Sequence, residues 1–171
     1  MRKVEVQEFN EIWRELFLLE AQKLERVYGD NMIEVHHIGS TAVEGLKAKP
    51  VIDIMPVVKD LSLVDQKNEY MKELGYEALG ENGLTGRRFF RKGGDQRSHH
   101  VHLYELGNQD IDRHLAFRDY LMEHRSDRLQ YGQTKAELAM RYPEDMEAYI
   151  DGKDSLVKEI EEKALDWYAS K

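Results

Sequence analysis

The run Val51-Ile52-Asp53-Ile54-Met55 constrains this chain more than any other stretch, because it reads as a buried β-strand with an acid inside it. Pro50 stops any helix before Val51, and Pro56 limits the pairing that a strand can make beyond Met55. An early strand end or an unpaired amide is therefore expected at Pro56. An ionised carboxylate is costly to bury without a cation or hydrogen-bond donors, so Asp53 is expected to serve a purpose. Just upstream, Val35–Ile38 is a second short strand, broken by Gly39-Ser40-Thr41 and followed by a loop carrying Lys47 and Lys49.

The flanking pattern places this pair of strands in an α/β (α+β) chain. Val4 and Val6 alternate with charged residues, as in a short edge strand. Asn10 then caps a helix to about Tyr28, with Trp13, Leu16, Leu24 and Val27 near helical spacing. Asp60 or Ser62 starts a helix that Gly75 ends. Tyr76–Leu79 is a brief strand. Arg87–Lys92, the turn Gly93-Gly94-Asp95 and Ser98–Glu105 form an antiparallel hairpin. From Asp110 the spacing is helical, over about 110–125, 127–141 and 154–169. With 171 residues and no dividing linker, a single domain is expected, its 1–107 part an α/β core and its 108–171 part a helical region.

Within the hairpin, His100 and His102 share one strand face while His99 and Val101 point to the other. With Asp53 on a neighbouring strand, two imidazoles and one carboxylate form a three-ligand set with open positions. Such a set suits Zn²⁺, Mn²⁺ or Fe²⁺ better than Mg²⁺. The bland alternative is a packed hydrogen-bonding pair, and for Asp53 a buried ion pair with Lys49 or an arginine. Of His36 and His37, only one can face the same side. The basic residues Lys49, Arg87, Arg88, Arg91, Arg118, Lys135 and Lys153 are either ordinary surface charge or, taken as a set, an anion pocket.

Several stretches resemble the GrpB family: His37-Ile-Gly-Ser-Thr-Ala-Val-Glu-Gly-Leu-Lys-Ala-Lys-Pro-Val-Ile-Asp-Ile54, Gly83–Phe90, His99–Leu103, Phe117–Leu121 and Ala164–Tyr168. Members of that family resemble the nucleotidyltransferase superfamily in fold. The resemblance implies a nucleotidyltransferase-like mixed β-sheet with flanking helices and a C-terminal helical region. It also implies that Gly39, Ser40 and Thr41 hold phosphate, helped by helical amides behind Thr41. Asp53 then matches the first metal-binding acid of that superfamily. The second acid belongs at position 55, which is Met55, a poor ligand for Mg²⁺.

These observations set the functional expectations. A divalent metal (Mg, Mn or Zn) is held by Asp53, His100 and His102. Asp53 and His102 are the catalytic candidates, and Gly39, Ser40, Thr41, Lys49 and Arg88 bind phosphate. The partner is a nucleotide or other phosphate-bearing small molecule, with nucleotidyl transfer as the reaction. Two alternatives stand beside it: a non-catalytic binding module that lost the second acid, and a metal-dependent phosphoesterase using the Asp/His/His set. A formal net charge of −8 argues against nucleic acid as a partner. The absence of cysteine removes thiol chemistry and disulfides. No stretch approaches membrane-spanning length, and a cytoplasmic location is the expectation.

Overall fold

The computed structural model describes residues 2–171. Five strands form one mixed sheet: β1 (Met32–Ile38), β2 (Ile52–Val58), β3 (Tyr76–Ala78), β4 (Arg87–Lys92) and β5 (His99–Glu105), in the order β1-β2-β5-β4-β3. β2 and β5 run parallel at its centre, and the remaining pairs are antiparallel. Helices α1 (Ile12–Tyr28), α2 (Leu61–Asp65) and α3 (Asn68–Glu73) cover one face. Helices α4 (Gln109–Glu123), α5 (Arg125–Arg141) and α6 (Met146–Ala169) form the C-terminal helical region.

Period-two alternation sorts the central strands between these layers. Ile52 and Ile54 on β2, and Val101 and Leu103 on β5, pack with Trp13, Ala21 and Leu24 of α1. The intervening Met55 and Tyr104 turn the other way and meet Ile38, Ile111 and Leu115. Covered on both sides, β2 is apolar apart from Asp53, as buried sheet centres are, whereas β5 carries three histidines. A further cluster, including Ala116, Tyr120, Tyr131, Ile160 and Ala164, ties the three C-terminal helices together and takes in Val43 and Leu46 from the loop before β2.

Four details depart from the expected elements. The one helix expected before Gly75 is broken at Gln66 and Lys67 into α2 and α3. β2 continues through Pro56 to Val58, because Pro56 sits opposite Val35 of β1 while pairing with β5 resumes at Val57. Val4–Val6 is no edge strand. Val4 donates to the Pro143 carbonyl at 2.9 Å, and Gln7 forms a lone bridge with Ala48. The last helix starts at Met146 and runs through Gly152, where a Cβ would lie 2.6 Å from Leu138 Cδ2 of α5. Gly152 therefore marks close helix packing, although in sequence it looks like an interruption.

Candidate functional site

The register of the two parallel strands brings the candidate ligands together. Asp53 lies opposite His100 across the β2–β5 ladder, and His102 is its diagonal neighbour on the same face. His102 Nε2 donates to Asp53 Oδ1 at 3.0 Å, and His100 Nδ1 lies 3.5 Å from the same oxygen. One ligand atom from each of the three residues falls within a 4.8 Å set. Burial pushes the Asp53 carboxyl up, but the hydrogen bonds from His100 and His102 outweigh it and hold the group well below the usual carboxylate range.

Gly39 explains how the turn closes on this acid. Its φ of +73° lies in the left-handed region, and a Cβ there would stand 2.6 Å from Asp53 Oδ2. No other residue fits without moving the carboxylate. Ser40 follows, and its hydroxyl accepts from Lys135 Nζ at 2.7 Å. Lys135 is 2% exposed, and its other close partner is the ring of Tyr131, 4.4 Å away. Neither partner is charged. Burial and the nearby cations Lys153 and Lys49 depress its amine well below the ordinary lysine range, with Asp53 acting in the opposite direction.

A cleft of about 280 Å³ opens over Asp53 and His102, between the sheet and helices α4 to α6. Gly39, His114, Tyr131 and Lys153 contribute to its walls. His114 is a neighbour of His102, with ring centroids 5.3 Å apart, and its Nε2 lies 3.1 Å from the Tyr104 hydroxyl. Burial and the neighbouring His102 push His114 down to about 3, so it stays neutral. His102 Nδ1 is buried and has no hydrogen-bond partner among the described residues.

One carboxylate oxygen and two imidazole nitrogens make a donor set that fits one borderline divalent ion such as Zn²⁺ or Mn²⁺. They do not fit a pair of Mg²⁺ ions. Met55 is fully buried and packs against Ile38 and Tyr104. Arg97 adds a condition: its Nη1 lies 3.1 Å from His100 Nε2 and donates to it. A neutral imidazole that ligates through Nδ1 carries its proton on Nε2, so that contact must open when His100 binds an ion.

Other residues expected at the site lie elsewhere. Arg88 is on the opposite face of β4, with Nε 2.7 Å from Asp65 Oδ1 of α2, so it cannot reach Asp53. Phe89, one residue on, takes the site face, its ring centroid 5.2 Å from that of His102. Thr41 is buried, and its Oγ1 is 2.9 Å from His37 Nε2, which turns it from the cleft. Residues 40–42 form a single 3-10 turn, too short to present the helical amides expected behind Thr41. Lys49 points past the cleft, toward Met146 Sδ at 3.5 Å and the Tyr149 ring at 5.1 Å. His36 Nε2 pairs with Glu34, while His37 stacks on Phe17, so neither joins the ligand set. His114 and Tyr131 are the site residues that sequence reasoning did not name, while Lys135 and Lys153 entered it only as members of the basic set.

The chain belongs to the GrpB family: the family model for GrpB protein matches residues 3–163. Among its relatives, UPF0157 protein YqkA of Bacillus subtilis is 47% identical over 166 residues. That match takes in 97% of this chain but only 48% of the relative, so the chain spans about half the length of that protein. The crystal structure of conserved protein GrpB from Enterococcus faecalis superposes with a TM-score of 0.93 at 44% identity, covering 96% of this chain and 99% of that one. Cid1 poly(U) polymerase aligns over 75% of the chain and 45% of its own, with a TM-score of 0.46 at 12% identity, too slight a likeness to carry function. No helix among the described residues is long and apolar enough to cross a membrane.

Proposed function

We propose that this GrpB protein binds a nucleotide or other phosphate-bearing small molecule in the cleft over Asp53, together with one divalent cation. The observation that carries the reading is the convergence of Asp53, His100 and His102 beneath a turn that only glycine can make. The three side chains would hold the ion, which when bound would neutralise phosphate charge and polarise a phosphoryl oxygen. Lys153 in the cleft wall would attract the anion. Lys135 would orient the Ser40 hydroxyl, leaving the Ser40 O–H free to donate to a phosphate oxygen. The walls from α4 to α6 would limit water access to the cation.

Before an ion binds, Asp53 and His102 share a 3.0 Å hydrogen bond with the acid held ionised. Ligation through these atoms would replace that contact, so a proton role for the pair belongs to the ion-free site. Transfer of a nucleotidyl or phosphoryl group is the reaction such a site would run. Met55 supports a second reading, a binding module without turnover, because the position of the second acid is filled by a buried thioether.

Calorimetry with Zn²⁺, Mn²⁺ and Mg²⁺, followed by each nucleoside triphosphate with and without the ion, tests both. Stoichiometric binding of Zn²⁺ or Mn²⁺ that Asp53→Ala abolishes, with triphosphate affinity that depends on the ion, is the expected result. Nucleotide affinity indifferent to both the ion and Asp53 would overturn it. Binding without product formation would select the second reading.

A further inference from the structure

Lys49 is itself outside the cleft and stands among cations on two sides. On one side it feels Lys153, which with it depresses the amine of Lys135; on the other it feels Arg2 and Arg97. Between Lys49 and these two arginines lies a separate cavity of about 530 Å³, floored by Pro50 and Val51 just ahead of β2. Lys3 also lines it, and its acids are Glu5 and Asp95. Four cations against two acids is a local excess of positive charge on a chain whose net charge is −8.

The partners of the two central cations are uncharged. Lys49 Nζ touches Met146 Sδ and the Tyr149 ring, and Arg97 donates to the Gly94 carbonyl and to His100 Nε2. Cations drawn together and half-buried repel one another, opposed by the more distant pull of Asp53 on Lys49 and of Glu77 and Asp95 on Arg97. An anion between them relieves both the repulsion and the lost hydration. Burial and the surrounding cations hold Lys49 down at about 8, low for a lysine yet mostly protonated at neutral pH.

We propose that this cavity is a second anion site, taking a phosphate- or carboxylate-bearing small molecule between Lys49 and Arg97, distinct from the ligand of the Asp53 cleft. Arg97 joins the two places, since the same guanidinium that faces the cavity touches His100. The molecule bound there would be one guanidinium away from His100. Its recognition needs no metal and does not depend on the reading of Asp53.

Titration of the full chain with pyrophosphate and, separately, with citrate, in buffer containing a chelator, tests the site. Saturable binding of at least one is expected, and which of them binds names the class. Lys49→Met and Arg97→Gln should each weaken it about ten-fold, the loss of one charge-assisted contact. Lys49→Arg should retain it, which separates charge from a folding defect. Asp53→Asn should not weaken it, so failure of the cleft reading leaves this site standing. Absence of saturable binding to the unaltered chain, or binding that survives both charge removals, would overturn the proposal. So would binding that Asp53→Asn destroys.

Discussion

Glu20 and Asp53 are two carboxylates on opposite faces of one sheet, the first buried and the second partly so, and their surroundings differ in kind. Glu20, on α1, is 4% exposed at its side chain and accepts from Lys92 Nζ and the Tyr76 hydroxyl, each at 2.8 Å. Asp53 is 25% exposed, and its partners are two imidazoles, with no lysine or arginine in contact among the described residues. Burial pushes both acids up, and hydrogen bonds bring both below the ordinary range: from Lys92 and Tyr76 for Glu20, from His100 and His102 for Asp53. The first acid is permanently neutralised by a cation of its own fold. The second has partners that can themselves turn to a metal, beside an open cleft. A buried acid alone is therefore no sign of a site; the exchangeability of its partners is.

The sharpest way to break this contrast is to exchange the consequences. Glu20→Gln leaves the Lys92 ammonium facing the core unpaired, and should cost about 3 kcal/mol of unfolding free energy in denaturant titration. Its metal affinity should stay that of the unaltered chain. Asp53→Ala should lower Zn²⁺ or Mn²⁺ affinity by at least about 100-fold in calorimetry, beyond the effect of losing an outer-sphere partner. If Glu20→Gln also loses the metal, the two faces are not independent.

Gly39→Ala probes how tightly the turn and the acid are fitted. The new Cβ would meet Asp53 Oδ2 at 2.6 Å in a backbone conformation that alanine resists. Metal affinity should fall about ten-fold, with a stability loss of about 1–2 kcal/mol. An unchanged affinity would mean that the turn does not position the carboxylate.

Acid titration compares the two carboxylates directly. Both have folded-state values below the unfolded one, so each adds stability that is fully present above the unfolded carboxyl pKa, about 4. That stability is lost as pH falls toward the folded values. The difference in unfolding free energy between the unaltered chain and Asp53→Asn should shrink as pH falls below about 4. A difference that grows below about pH 4 would reverse the assigned direction.

Much of the sheet and the Asp/His/His set was legible because strands alternate strictly. Once β2 and β5 are neighbours, Asp53, His100 and His102 must share a face. What was not legible depended on packing between distant elements. Glu20 sits in Leu18-Leu-Glu-Ala-Gln-Lys23, where nothing marks it as buried, and only the approach of β3 and β4 encloses it. Lys135 is one lysine of a polar helix until α5 lays it against Ser40. The pair Arg87-Arg88 followed by Phe89-Phe90 suits either strand face equally, so the alternation rule has no purchase there. The observed register sends Arg87 and Phe89 to the site side and Arg88 and Phe90 to the other.

That last ambiguity yields the smallest expected effect and a clean check on the faces. Arg88 and Asp65 form a two-pronged pair, Nε–Oδ1 at 2.7 Å and Nη2–Oδ2 at 3.1 Å, with side chains 22% and 47% exposed. Water and salt screen a pair this open, so Arg88→Gln should cost under about 1 kcal/mol. Its position behind the sheet means that metal and nucleotide affinities should match those of the unaltered chain. Were Arg88→Gln to weaken nucleotide binding while leaving stability intact, the guanidinium would have to act on the ligand, and the division of β4 between the two faces would be wrong.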